Sequence, residues 1–152
     1  GLTVVTQPNF LRERGRQYLD EVPERDLPFL YRGRSFIEAG VPLGGSTDAP
    51  FGNPNPWLAI AAAMDRHSAE GDVIGAVEAL TAAQALALFT TDPAAPGGAP
   101  RSIVEGARAD LCLLGADPET CLVHLQRGAS GPGVQLTVAG GEVTYQRESN
   151  RI

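Results

Sequence analysis

One carboxylate stands at a position where chemistry is possible, in the stretch from Val41 to Phe51. A short apolar run there ends in two glycines and two hydroxyl residues, and Asp48 follows, directly before Ala49 and Pro50. Because proline interrupts a strand, this pattern predicts a strand whose tip presents an acid. The chemistry of a parallel α/β barrel lies at the carboxyl ends of its strands, so Asp48 is a candidate site residue. The alternative is an Asp that only forms a turn, since Ser, Thr and Asp before Pro are common in turns.

The elements before and after this strand tip alternate between β and helical patterns. Leu2 to Thr6 predicts a strand, and Gly40 stands where a helix ends before the next strand. A strand, a helix and a second buried strand make a βαβ unit. Helices are predicted from the stretch 11–26, from 28–39, from Asn55-Pro56 to about His67, and behind the capping box Thr81–Gln84.

A different pattern begins after residues 94–100, which are nearly all Ala, Pro and Gly and mark a linker or an inserted loop. Asp110 to Leu114 is a compact apolar strand. Residues 135–138 and 142–145 predict a hairpin around Gly140 and Gly141. The last third of the chain is therefore expected to be β.

Composition limits the classes of partner. The chain has 152 residues, a net charge of −6 and 43% hydrophobic residues, enough for a domain with a real core. An acidic surface argues against nucleic acid and anionic membranes as partners. No apolar run approaches the roughly 20 residues that span a bilayer, and a cytoplasmic location is the expectation. Cys112 and Cys121 lack Cys-x-x-Cys spacing and are expected to be small buried residues.

Three motifs, in order along the chain, resemble one family. The run from Glu38 to Pro56, with Gly45-Ser46-Thr47-Asp48-Ala49-Pro50 at its centre, is similar to the eighth barrel strand of the metal-dependent amidohydrolase superfamily. Ile103 to Leu111, ending in Ala-Asp-Leu, resembles the segment in which such enzymes enter a small β-sandwich, and Val138 to Val143 resembles the closing hairpin. The most similar branch is amidohydrolase family 3, of the D-aminoacylase and N-substituted formamide deformylase type.

The resemblance implies a fold of class α/β plus β. Residues 1–93 would be the last two strand-helix units of a TIM-type (β/α)8 barrel, residues 94–100 a linker, and residues 101–148 the carboxyl-terminal part of a β-sandwich. It also implies that Asp48 is both a metal ligand and the catalytic proton shuttle. The cofactor would be a divalent metal, zinc, in the full-length enzyme, and the substrate a small-molecule amide.

The other metal ligands of that family have no counterpart in this chain. There is no His-x-His, and without lysine there can be no carboxylated lysine. His67 and His124 are the only histidines, and both are expected to be structural or exposed. Since a zinc site normally needs three or four protein ligands, Asp48 alone does not make one. The resemblance thus implies a fragment of a longer chain that begins before Gly1, inactive and metal-free on its own.

Two alternatives stay open beside the hydrolase of carbon–nitrogen bonds. One is a stand-alone, non-catalytic β-rich interaction domain with a helical cap. The other is a hydrolase of the same fold that uses no metal. Because a cut barrel leaves strand edges and helix faces uncovered, we expect a homo-oligomer.

Overall fold

The computed structural model of the chain describes residues 1–117, 120–121 and 131–148. It divides into two compact units, Gly1–Arg101 and Ser102–Ile152. The first unit mixes helices with a parallel pair of strands, and the second is built on an antiparallel sheet. Within the described residues, no helix is both long and apolar enough to cross a membrane.

A parallel pair of short strands organises the first unit. Strand β1, Val4–Thr6, pairs with strand β2, Leu43–Gly45. Helix α1, Asn9–Glu21, a 3₁₀ turn, Leu27–Phe29, and helix α2, Arg34–Glu38, connect the two strands. Parallel strands require such a crossover, because a tight turn joins only antiparallel neighbours. The predicted βαβ unit is therefore present.

The connection differs from the single helix predicted over residues 28–39. It contains the 3₁₀ turn and then α2, and the chain between them is not helical. The guanidinium of Arg66 donates to the carbonyl oxygens of Leu30, at 2.7 Å, and Tyr31, at 3.0 Å. Tyr31 itself has a positive φ of 48°. Because the Arg66 side chain binds these two carbonyl oxygens, they do not need backbone N–H groups of a helix as partners. The prediction of one continuous helix, which used only the apolar spacing, was therefore wrong for this part of the connection.

The end of α2 follows the prediction made at Gly40. Gly40 has a φ of 67°, and its N–H donates to the carbonyl oxygen of Ile37 at 3.0 Å. The N–H of Val41 donates to the carbonyl oxygen of Phe36 at 2.9 Å. These two bonds make a Schellman motif, in which a glycine in the left-handed region satisfies the last carbonyls of a helix. The motif turns the chain into β2.

Helices α3, Pro56–Asp65, and α4, Ala82–Ala87, complete the first unit, with a 3₁₀ turn at Ala76–Glu78 between them. Both helices begin at the predicted caps. The side chain of Asn55 accepts from the N–H of Trp57 at 3.0 Å, and Thr81 and Gln84 form a reciprocal capping box. Helix α3 packs on α1 and α4. The buried core residues include Leu11, Ile60, Ile74, Leu88 and the alanines of α3 from Ala59 to Ala63.

Residues 94–100, rich in Ala, Pro and Gly, are part of the first unit and pack on its strand β2. Gly97 approaches β2 so closely that a Cβ built there would stand 2.2 Å from the backbone nitrogen of Leu43. Gly97 has a φ of 73°, and Pro100 forms an isolated bridge with Thr91. A residue without a side chain is therefore needed where the segment meets the strand.

The second unit contains a three-stranded antiparallel sheet in the order β3-β4-β5. The strands are β3, Leu111–Leu114, β4, Val134–Ala139, and β5, Glu142–Gln146. Gly140 and Gly141 turn between β4 and β5 with φ values of 59° and 89°. Two positive φ angles give the turn whose twist suits a two-residue hairpin, so the predicted hairpin is confirmed.

The two cysteines differ in burial. Cys121 is buried, as predicted, but Cys112 is exposed, and the expectation for it was wrong. Cys112 lies on β3, whose neighbours Leu111 and Leu113 are also exposed. An apolar run predicts a buried strand only if both faces are covered, and here the described residues of the unit leave this strand exposed.

A buried acid links α2 to the second 3₁₀ turn of the first unit. Glu78 is 4% exposed and accepts hydrogen bonds from the backbone N–H of Ser35, at 2.9 Å, and from its hydroxyl. Arg32 lies 3.7 Å away as an ion pair. Desolvation by burial disfavours the charged carboxylate, but the Ser35 hydrogen bonds and the charges of Arg32 and Arg66 outweigh it. The net effect lowers the pKa of Glu78.

This lowered pKa predicts a pH-dependent loss of stability in Glu78→Gln. Because the folded pKa lies below the unfolded value of about 4.3, ionised Glu78 stabilises the fold above that value, and the effect is lost as the pH falls through the folded pKa. We expect the variant to lose about 1–3 kcal/mol at pH 7 and to lose less at pH 3, which lies below the unfolded pKa. Urea unfolding at both pH values measures this. Substitution of the exposed Glu24 by Gln is the control, and an equal loss for Glu78→Gln at both pH values would contradict the assignment.

Candidate active site at the end of β2

Asp48 lies three residues beyond β2, where the chain leaves the strand. The N–H of Ser46 donates to the carbonyl oxygen of Thr6 at 2.9 Å, which extends the parallel pairing past Gly45. Asp48 is exposed and has a φ of 57°, and its N–H donates to Oγ of Ser46 at 3.1 Å. Asp adopts the left-handed region more readily than most residues. The backbone therefore turns at Asp48 and leaves its side chain at the carboxyl end of the strand pair.

The glycine that ends β2 is required by close packing. The N–H of Gly45 donates to the carbonyl oxygen of Leu88, just after α4, at 2.8 Å. A Cβ at Gly45 would stand 2.7 Å from the ring of Phe89, closer than carbon atoms approach. The strand can thus reach Ser46 and Asp48 on this path only if residue 45 has no side chain.

The loop after Asp48, residues 48–53, is held by polar groups of α1. The side-chain amide of Asn9 donates to the carbonyl oxygen of Thr47, at 3.2 Å, and to Oε1 of Glu13, at 3.1 Å. The same Glu13 oxygen accepts from the N–H of Asn53 at 3.1 Å. Inside the loop, the N–H of Gly52 donates to the carbonyl oxygen of Asp48 at 2.9 Å. Both ends of the loop are therefore tied to one helix.

Aromatic packing adds a second contact between the loop and α1. The ring of Phe51 meets that of Phe10 edge to face, with centroids 5.9 Å apart. The guanidinium of Arg14 lies 4.6 Å from the Phe10 centroid and 4.4 Å from the Phe51 centroid. A cation over two ring faces is attracted by both. The loop backbone also fits tightly, because a Cβ at Gly52 would stand 2.1 Å from the carbonyl oxygen of Thr47.

Four residues contribute to this site but were not predicted from the sequence: Asn9, Glu13, Arg14 and Phe51. One pattern pointed to the first of them. Asn9 directly follows the Gln-Pro pair that ends β1, so it lies at the same edge of the parallel pair as Asp48. The carboxyl ends of neighbouring parallel strands share an edge, and polar residues after both strands are candidates for one site.

The structure describes one of the two histidines, His67. His67 follows α3, forms an isolated bridge with Val73, and has its Nδ1 3.9 Å from Oδ1 of Asp65. His124 lies outside the described residues, so its expected structural or exposed role stays a prediction.

A cavity of about 350 Å³ opens near the start of β2, lined by Val41 to Leu43 and residues of α4, and Asp48 is not part of its lining.

The carboxylate of Asp48 fits one ligand position of a metal site but does not form a site. It is exposed and accepts no hydrogen bond from the residues that the structure describes. In the same part of the chain, no group of three or more His, Cys, Asp and Glu residues is placed to hold a metal ion. A tetrahedral site needs more donors than one carboxylate. The prediction that the remaining ligands lie outside this chain stays a prediction.

Two curated proteins are similar to the chain. It is 32% identical over 121 residues to the N-substituted formamide deformylase of Arthrobacter pascens, which covers 78% of this chain and 22% of that protein. It is 25% identical over 150 residues to the putative amidohydrolase YtcJ of Bacillus subtilis (strain 168), which covers 93% of this chain and 27% of that protein. The chain thus spans about a quarter of the length of these relatives. No solved structure matches the chain significantly.

The family is shown by a match over almost the whole chain. The sequence pattern of the amidohydrolase family matches residues 4–145, which include both strands of the parallel pair, Asp48 and the sheet of the second unit. The match agrees with the resemblance found in the motifs around Asp48, Asp110 and Gly141. The chain therefore belongs to the amidohydrolase family, in the branch called amidohydrolase family 3.

Proposed function

We propose that the chain is the carboxyl-terminal part of a hydrolase that acts on carbon–nitrogen bonds of small non-peptide amides. Asp48 is its catalytic carboxylate and one of its metal ligands. The observation that carries this proposal is the placement of Asp48 at the carboxyl end of a parallel strand pair in an amidohydrolase chain, where its exposed carboxylate accepts no hydrogen bond from the described residues. Active sites of parallel barrels lie at that end of the strands.

In this proposal the first unit is the end of a (β/α)8 barrel. Strands β1 and β2 with their helices α1 and α3 are its last two strand-helix units, and the sheet β3-β4-β5 belongs to a β-sandwich. The parallel pairing and the helical crossover support this assignment. The relatives, about four times as long as their matched parts, leave room for the preceding barrel strands. The family match across both units also favours an enzyme over a stand-alone β-rich module.

Asp48 contributes proton transfer. Its carboxylate accepts a proton from the water that attacks the amide carbonyl, and it returns that proton to the leaving nitrogen. Asp48 would be one ligand of a divalent metal, zinc in this proposal, which would lower the pKa of a bound water to about 7. The similarity to an N-substituted formamide deformylase suggests substrates with a substituted amide nitrogen. Since one carboxylate of this chain is available to the metal, the 152-residue chain alone is expected to be inactive.

Replacement of Asp48 by Asn in the full-length protein tests the catalytic assignment. Asn retains an acceptor oxygen but does not take a proton, so we expect kcat to fall by about 10² to 10⁴. The fold should be unaffected, because Asp48 uses only its backbone in hydrogen bonds with the described residues. The measurement is kcat beside the melting temperature. Near-normal turnover with an unchanged melt would refute the role, and Asp72→Asn on the same chain serves as the control.

The metal assignment predicts a result for the 152-residue chain alone. If Asp48 is one member of a ligand set spread over a longer protein, the chain should bind zinc no better than its Asp48→Ala variant does. Isothermal titration of both proteins with zinc measures this. A stoichiometric site in the unsubstituted chain that is absent from the variant would show that the chain holds a metal by itself, against the proposal.

A further prediction concerns assembly. Strand β1 pairs with β2, and no other described strand pairs with it. Unpaired strand edges attract other strands, so we propose that the 152-residue chain forms a homo-oligomer. Light scattering across a tenfold range of concentration measures the mass. A mass of one chain, 15.9 kDa, at every concentration would contradict the prediction.

A further inference from the structure

We propose that four residues of helix α1 position Asp48 for catalysis. These residues, called here the α1 clamp, are Asn9, Phe10, Glu13 and Arg14. None of them carries out a chemical step. The inference rests on the proposed role of Asp48 and extends it, because it identifies what holds that carboxylate in place.

The clamp forms hydrogen bonds with the loop on both sides of Asp48. Asn9 binds the carbonyl oxygen of Thr47, one residue before it, at 3.2 Å. Glu13 binds the N–H of Asn53, five residues after it, at 3.1 Å. These contacts join positions 38 and 40 residues apart in the sequence. A short loop that is fixed at both ends has few backbone conformations left.

The backbone conformation of Asp48 needs support from the surrounding structure. Its φ of 57° is uncommon for a residue other than glycine, and its exposed side chain gains no hydrogen bond from the described residues. Residues in uncommon backbone regions persist where the surrounding structure determines them. Here the clamp and the bond from Gly52 to the Asp48 carbonyl oxygen supply that determination.

The side chain of Asn9 is buried and only partly satisfied by hydrogen bonds. Asn9 is 1% exposed, and its Oδ1 has no hydrogen-bond partner among the described residues, whereas its amide nitrogen has two. An unpartnered buried oxygen lowers stability, and an apolar residue of similar size would avoid this loss. The two acceptors, Thr47 and Glu13, fix the orientation of the amide. Stability alone does not explain why residue 9 is Asn. The need for a hydrogen-bond donor directed at the Asp48 loop explains it.

The aromatic half of the clamp acts on the middle of the loop. Phe51 is 68% exposed, yet its ring meets Phe10 and the Arg14 guanidinium. An exposed ring held by a cation and a second ring is restricted in its movement. The clamp thus contacts the loop before Asp48, after it, and between those points.

Hydrogen exchange in the 152-residue chain tests the clamp without any activity. In Asn9→Leu and Glu13→Leu, we expect the amide of Asn53 to exchange about tenfold faster. The amide of Ile74, bonded to the Arg66 carbonyl oxygen, should change less than about twofold, because it lies outside the clamp. Glu13→Gln keeps the acceptor oxygen and should retain the protection of Asn53.

Gln17 offers a matched control on the same helix. Its side-chain amide donates to Glu21 at 2.9 Å, four residues on, just as Asn9 donates to Glu13, but both residues are exposed and no described contact joins them to the loop. Gln17→Leu should leave the exchange of Asn53 unchanged. If Asn9→Leu also leaves it unchanged, or if all amides of the chain speed up together, the clamp is refuted.

Kinetics of the full-length protein test the catalytic consequence. For Asn9→Leu we expect kcat to fall by about 10²-fold, with KM within about twofold, because a small misplacement of a reacting group slows the chemical step. The melting temperature should stay equal or rise. A merely structural Asn9 would instead lower the melting temperature and leave kcat of the folded enzyme unchanged, which would overturn the proposal.

The two proposals fail in different ways. Normal turnover in Asp48→Asn refutes the proposed function, whatever the exchange data show. Lost turnover in Asp48→Asn, with normal turnover and slow Asn53 exchange in Asn9→Leu, refutes only the clamp.

Discussion

The parallel pairing of β1 with β2 is the contact on which the candidate site depends. Val4 stands opposite Leu43, and Thr6 stands opposite Gly45. Because the two strands run in the same direction, the chain leaves both of them at one edge. That shared edge brings Asn9 next to Thr47, residues separated by 38 positions in the sequence. With antiparallel strands, the start of α1 and the Asp48 loop would lie at opposite edges of the sheet.

Close packing around β2 maintains this pairing. On the edge away from β1, the Gly45 N–H binds the carbonyl oxygen of Leu88, and Gly97 contacts the backbone of Leu43. Both contacts need a residue without a side chain at the point of approach. The buried guanidinium of Arg66 secures the connection between the strands, since it binds three carbonyl oxygens, those of Leu30, Tyr31 and Ile74. Its burial lowers the pKa of Arg66 to about 10, which still leaves the side chain charged at neutral pH.

Features fixed by neighbouring residues could be predicted from the sequence. The caps at Asn55 and Thr81, the helix end at Gly40 and the hairpin at Gly140 each depend on a side chain or a φ angle within a few positions. Asp48 could be proposed as a site residue for a similar reason, since the glycines and the proline around it belong to one short stretch. Features fixed by distant residues were missed. Nothing near Leu30 in the sequence indicates that Arg66 binds its carbonyl oxygen. The place of Asn9 after β1 indicates a shared edge with Asp48, but not the hydrogen bond to Thr47.

The positioning of Asp48 and the affinity of the site for a metal depend on different interactions. Within the part of the chain that the structure describes, Asn9 keeps a buried oxygen without a partner, which costs about 1–3 kcal/mol, while its amide nitrogen orders the loop before Asp48. In the proposed enzyme this order is present before substrate arrives, and a reacting group that is already in place loses little entropy in the transition state. Affinity for a metal is a different matter, because it grows with the number of ligands, and in the proposed enzyme Asp48 is one ligand of several. In that proposal the preorganisation of Asp48 is local to β1, β2 and α1, whereas metal binding would draw on ligands from a longer protein.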